Sequence, residues 1–171
     1  LPDNKIVHKI KEMSKDDKHK YMREAIRKAE ENFILGIGGP FGAVVVRDGD
    51  IIATAGNCVT STNDPTAHAE VVAIRDACNK LETFDLSGCE IFASCEPCPM
   101  CLGAIMWARL DKLYYAAERA DASRAGFDDE LFYTELALPL HQRSLSPTQL
   151  LRKEAVKVFD KWNETVDKIS Y

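Results

Sequence analysis

The order of secondary-structure signals along the 171 residues predicts an α/β layered fold. Three observations carry that prediction. Apolar spacing switches between helical and strand periods in the order helix, strand, strand, helix, strand, helix, strand. An Asp48-Gly49 pair between two β-rich runs marks a hairpin. Two later strands are separated by one helix, and the usual right-handed crossover would make them parallel.

The first helix is expected over about 17–35, capped by Asp16 or Asp17, with Met22, Ile26, Ala29 and Phe33 as its core-facing stripe. Gly36, Gly38, Gly39 and Pro40 end it in a loop. FGAVVVR (41–47) and DIIATAGN (50–57) flank the Asp48-Gly49 turn, where both central residues tolerate positive φ. A second helix is expected over 64–81, with Asp64 as cap and Pro65 at the first position, where its missing N–H would have no partner. CEIFAS (89–94) reads as a strand, and a third helix opens at Pro97 and runs through LGAIMWARL. KLYYAA (112–117) reads as a further buried strand. Beyond residue 120 the one clear element is a helix from about 147, because Ser146-Pro147-Thr148-Gln149 matches a capping box with proline at the first position. Leu151, Ala155, Val158, Trp162, Val166 and Ile169 carry its apolar face.

No repeat, low-complexity segment or linker divides the chain, so residues 16–171 are expected to form one domain. Residues 1–15 are expected to be a disordered or added N-terminal extension, because the chain opens without a methionine. That opening also lacks the apolar run of a signal peptide, which points to a cytoplasmic protein. With 46% hydrophobic and 29% charged residues the composition is that of a soluble globular protein and excludes a disordered chain. No stretch approaches the ~20 apolar residues of a membrane span. The net charge of −5 disfavours a partner held through many phosphates and favours a small, uncharged or mildly polar substrate.

The six cysteines stand at 58, 78, 89, 95, 98 and 101, three of them within seven residues. Such crowding is a poor disulfide framework for a chain able to build its own core, and it points to metal binding or catalysis. The even count leaves disulfides open. His68-Ala69-Glu70 and Pro97-Cys98-Pro99-Met100-Cys101 both sit where a helix is expected to start after a strand. Cys98 and Cys101 are three residues apart, so they share one face of the first turn, where the positive end of the helix dipole favours thiolates. Two thiolates and the His68 imidazole suit zinc. Three ligands rather than four leave a position for water, the mark of a catalytic rather than a structural site.

Residues two apart on a helix are ~200° apart, so His68 and Glu70 must straddle the helix start to face one centre. Glu70 is thereby placed beside the water as a proton carrier rather than as a ligand. This is the H-x-E, P-C-x-x-C pattern of zinc deaminases. Two other readings stay open on these residues. The C-x-x-C pair could be a redox couple, and Cys95 could close a structural zinc site as fourth ligand. Cys58, Cys78 and Cys89 read as small packing residues.

The chain resembles the cytidine deaminase superfamily, and within it the bacterial-type guanine deaminases. The matching text is GIGGPFGAVVV (36–46), NDPTAHAE (63–70), SCEPCPMCLGAI (94–105), WAR (107–109), AGFDD (125–129) and the terminal Tyr171. The resemblance implies a three-layer α-β-α cytidine-deaminase-like fold with a central mixed sheet of about five strands; whether residues 132–140 supply the fifth stays open. It implies zinc held by His68, Cys98 and Cys101, and hydrolytic attack at C2 of guanine. Glu70 would take the water's proton and pass protons to N3 and to the departing ammonia, leaving xanthine.

The resemblance further implies that Phe41 lies near the ring, Asn57 hydrogen-bonds the base, Trp107 packs over it and Asp129 accepts from purine N–H groups. Tyr171 would close the pocket, from the partner chain of a homodimer that exchanges C-terminal segments. Each has a plainer reading beside it: core packing for Phe41 and Trp107, a turn for Asn57, a helix cap for Asp129, a frayed end for Tyr171. Guanosine deamination and, less favoured by the acidic charge, deamination of adenosine in tRNA are the alternatives.

Overall fold

The structure is a computed structural model that describes residues 13–170. The chain divides after Asp129 into two compact units. The first unit contains α1 (Lys15–Ile34), β1 (Gly42–Arg47), β2 (Asp50–Gly56), α2 (Val59–Thr62), α3 (Ala69–Leu81), β3 (Cys89–Cys95), α4 (Pro99–Trp107), β4 (Lys112–Ala117) and α5 (Arg119–Arg124).

Its strands form a mixed sheet in the order β2-β1-β3-β4. β1 is antiparallel to both β2 and β3, while β3 and β4 are parallel, as the crossover argument expects. Asp48 (φ 53°) and Gly49 (φ 91°) make the hairpin turn in the left-handed region. The period of two along the strands sorts side chains onto two faces. Val44, Val46 and Phe92 pack with Tyr21 and Ala25 of α1, whereas Ala43, Val45 and Ile91 pack with Ala69, Ala73 and Ala77 of α3 and Ile105 of α4. The result is the expected α-β-α layering.

Several details differ from the sequence expectations. The sheet of the described residues has four strands rather than about five, and Glu130–Ala137 is helix; ELFYTELA is rich in helix formers and lacks strand alternation. α1 starts at Lys15 with Ser14 as cap, whose Oγ accepts the Asp17 N–H at 3.1 Å. Its buried face is Tyr21, Ala25, Ala29 and Asn32, not the stripe through Ile26 and Phe33, which stand 46% and 53% exposed. The cause is close backbone approach. A Cβ on Gly42 would lie 2.3 Å from the Ala25 carbonyl oxygen and 2.7 Å from the Ala29 nitrogen, so the helix sits on β1 through Ala25 and Ala29 at this crossing, with Tyr21 and Asn32 to either side.

α3 begins at Ala69 rather than 64, because Asp64 Oδ1 accepts from the Thr66 N–H and Oγ1 and holds 64–66 in a turn. α4 begins at Pro99, since the residue before a proline is pushed out of the helical region and Cys98 is extended (φ −65°, ψ 168°). β4 is a half-exposed edge strand rather than a buried one, paired on one side only, with Tyr115 half-exposed.

The second unit contains α6 (Glu130–Ala137), a 3₁₀ turn (Leu140–Gln142) and α7 (Arg152–Glu164). None of its described residues is buried. α7 starts five residues later than the capping box predicts, after Leu151 in a left-handed conformation (φ 49°). A capping signal is worth only about 1 kcal/mol, so the path of the preceding chain overrides it. The helix ends at Glu164, so Val166 and Ile169 of the expected apolar face fall beyond it. Among the described residues no helix is long and apolar enough to cross a membrane.

Candidate metal centre and active site

One end of the sheet collects the chemistry. The hairpin's open end places Phe41 opposite Asn57, whose N–H donates to the Phe41 carbonyl at 3.1 Å. β1 starts there beside the end of β3, with the Gly42 N–H donating to Ser94 Oγ at 3.0 Å. β3 then leads directly into Cys98, and β4, paired with it through Cys95 and Ala117, leads towards residues 127–129. Sites of α/β sheets form at such carboxyl ends of strands.

His68 and Cys98 are the N-caps of α3 and α4, both extended, and neither side chain is used in a capping hydrogen bond. Their side chains are therefore free to meet at the two helix starts. His68 Nδ1 lies 3.6 Å from Cys98 Sγ and 3.4 Å from Cys101 Sγ. The ligand atoms of His68, Cys98 and Cys101 all fall within 4.8 Å of one another. Glu70, in the first turn of α3, is 8% exposed, and its Oε2 accepts from the Cys101 thiol at 3.5 Å. It stands beside the three-donor group without belonging to it. His68 at the cap and Glu70 inside the helix is the straddling arrangement that their spacing requires.

The electrostatics follow from this crowding. The Cys101 thiol, hydrogen-bonded to Cys98, and then the His68 ring pull Cys98 down to about 4 against its partial burial. The hydrogen bond to Cys98, then burial and the Glu70 carboxylate, drive Cys101 strongly up. The bond to Cys98 raises His68, and burial raises Glu70. Two soft sulfur donors and an imidazole thus converge with their ligand atoms within 4.8 Å of one another, the donor set and spacing that zinc prefers. The residues fit the metal.

The competing cysteine readings lose their geometry. All six cysteines are free thiols. Cys95 donates to the Glu118 carbonyl at 3.7 Å, and burial pushes it up to about 11, so it neither closes the site nor carries a thiolate. A redox pair would leave His68 against both sulfurs unexplained.

The substrate-side residues divide. Phe41 is half-buried and packs edge-on against Phe127, ring centroids 4.9 Å apart. Asn57 is 7% exposed, and its Oδ1 accepts the Val59 N–H at 3.1 Å, which fixes the direction of its amide. Asp129, half-buried, is raised first by burial and then by the negative charge of Cys98, which puts it within electrostatic range of the zinc donors. Trp107 ends α4 and is 67% exposed, so core packing is not its role. Six residues after Cys101, it lies about 120° away around the helix. Tyr171 lies outside the described residues. Two residues escape a reading of the sequence. Phe127 stands inside the GFDD text and could have been taken from it. Asn32, buried and polar on α1, carries no local signal.

The cytidine and deoxycytidylate deaminase zinc-binding region matches residues 15–117. A guanine deaminase of Bacillus subtilis is 49% identical over 88% of this chain and 97% of its own length. The X-ray structure of guanine deaminase from Bacillus subtilis superposes with a TM-score of 0.88 at 47% identity, over 93% of this chain and 99% of that one. A tRNA-specific adenosine deaminase of Aquifex aeolicus is 42% identical, over 58% of this chain and 66% of its own. With its zinc-site geometry and most of its length matched, the chain belongs to the cytidine and deoxycytidylate deaminase zinc-binding family.

Proposed function

We propose that this chain hydrolyses guanine to xanthine and ammonia with zinc held by His68, Cys98 and Cys101. The observation that carries deamination is the buried Glu70 beside a three-donor group it does not join. The choice of guanine rests on 49% identity with a guanine deaminase along nearly the whole chain. The net charge of −5 adds weight for a free base over a nucleic acid.

When bound, zinc supplies a Lewis acid that lowers the pKa of a water to about 7. Glu70 takes the proton of the attacking water and hands protons to ring N3 and then to the leaving ammonia. Burial raises the Glu70 carboxyl above its ordinary value, the direction that suits a proton carrier. The amide of Asn57, its oxygen already held by Val59, presents its N–H₂ to a base acceptor. Asp129 accepts from purine N–H donors, a charge-assisted bond stronger than a neutral one. Phe41 and Phe127 flank the ring, and Trp107 packs over the base from the exposed end of α4.

The working unit of this proposal is a homodimer with exchanged C-terminal segments, in which Tyr171 closes the partner's pocket. Its support is that the second unit buries none of its described residues while exposing Leu131, Phe132, Leu136, Phe159 and Trp162. The zinc-loaded protein, screened for ammonia release over guanine, guanosine, adenine, cytosine, cytidine and tRNA, is expected to act on guanine. Preference for guanosine or tRNA would move the assignment to those substrates.

A further inference from the structure

Asn32 lies outside the zinc site, yet it binds both segments that carry the proposed base contacts. It is 1% exposed. Asparagine is a poor helix former, and its buried amide is costly unless its hydrogens find acceptors. Here Nδ2 donates to the Gly39 carbonyl and to the Asn57 carbonyl, both at 2.8 Å. On the other side, Oδ1 fills the space over Gly56, where an added Cβ would lie 2.3 Å from it.

The two acceptors are not independent. The Phe41 N–H donates to the same Gly39 carbonyl at 2.8 Å, and the Asn57 N–H donates back to the Phe41 carbonyl at 3.1 Å. The Ile37 N–H donates to the Asn32 carbonyl at 3.0 Å, so the loop after α1 folds back over this one residue. Close packing allows nothing between loop and strand end: a Cβ on Gly38 would lie 2.1 Å from the Asn57 carbonyl oxygen. Phe41 and Asn57 are spaced by a ring of hydrogen bonds whose hub is the Asn32 amide.

We infer that Asn32 is a positioning residue for substrate: it sets the distance between Phe41 and Asn57, and through them the fit of the base. This rests on the proposal that those two residues contact a purine. Asn32 touches neither the zinc donors nor Glu70 in any hydrogen bond among the described residues, so it acts on binding rather than on proton transfer.

The test uses the full, zinc-loaded chain. Asn32→Asp keeps the shape but sets a carboxylate, without donors, against two carbonyl oxygens. It is expected to raise KM for guanine ~10-fold or more while kcat stays within ~3-fold and zinc content is unchanged. In a Glu70→Gln background, calorimetry should show guanine binding weakened by a similar factor. Gly38→Ala perturbs the same junction without touching Asn32 and should raise KM in the same way, which keeps the test alive should Asn32→Asp not fold. KM and guanine affinity within two-fold of the parent in either folded variant, or a loss confined to kcat, would overturn the inference. A parent protein inactive on guanine but active on another substrate of the screen would instead overturn the functional reading.

Discussion

Helices α3 and α7 are both thirteen residues long, and they live in opposite surroundings. α3 buries Ala69, Glu70, Val71, Ala73, Ile74 and Ala77, and is small-residue rich because it lies on the sheet. α7 buries nothing, although Val158, Phe159 and Trp162 are among its residues. The difference teaches where the chemistry can reside. Shifting a carboxyl and converging two sulfurs on one imidazole needs a site from which water is excluded and which packing holds rigid. α3 has both. α7 has an apolar surface that gains stability only when something covers it, because a short isolated helix is marginal in water.

The sharpest way to widen that contrast is chemical. Cys101→Ser removes a buried donor and is expected to empty the zinc site, measured as metal per chain, and to abolish activity. Glu70→Gln, on α3 beside it, is expected to keep the metal while kcat falls ~10²–10⁴-fold. Loss of zinc in Glu70→Gln would mean that the carboxylate is a ligand and would end the proton-carrier assignment.

A matched pair of substitutions tests the packing side of the contrast. Ala73→Asp puts a charge at a fully buried position of α3 and should cost about 3–5 kcal/mol of stability in denaturant unfolding. Ala155→Asp makes the same change on exposed α7 and should cost no more than ~0.5 kcal/mol in the monomer. If a second copy covers α7 in solution, Ala155→Asp should also raise the dimer's dissociation constant, seen by light scattering across concentrations. A protein monomeric at all concentrations would remove the homodimer, and equal stability losses would remove the contrast itself.

The zinc site was legible in the sequence because its chemistry dictates residue types at fixed spacings. His68 must stand two before Glu70, and Cys98 three before Cys101, at whatever cost to local propensity. The hairpin was legible because Asp48 and Gly49 tolerate a backbone that few pairs do. What escaped was decided at a distance. The face that α1 turns inward depends on how closely Gly42 lets it approach, a fact carried by a residue seventeen positions from Ala25. Asn32 reads as an ordinary exposed polar residue, because its partners are backbone carbonyls far along the chain. The start of α7 escaped because a capping box is a weak local signal where no core contact enforces it.

The smallest expected effect on turnover concerns the last residue. Terminal residues carry little of a fold's stability, so deleting Tyr171 should leave the unfolding midpoint and zinc content unchanged while kcat/KM on guanine falls ~10-fold, the value of one aromatic contact and one hydrogen bond. Unchanged kcat/KM would remove the lid. If the lid comes from the partner chain, the deletion and Glu70→Gln should complement each other. In a hybrid dimer, the site with intact Glu70 belongs to the truncated chain and receives Tyr171 from its partner. Co-refolding the two variants should therefore raise activity above that of either alone. A lid acting within its own chain predicts no gain on mixing, because each hybrid then contains one site without Glu70 and one without Tyr171.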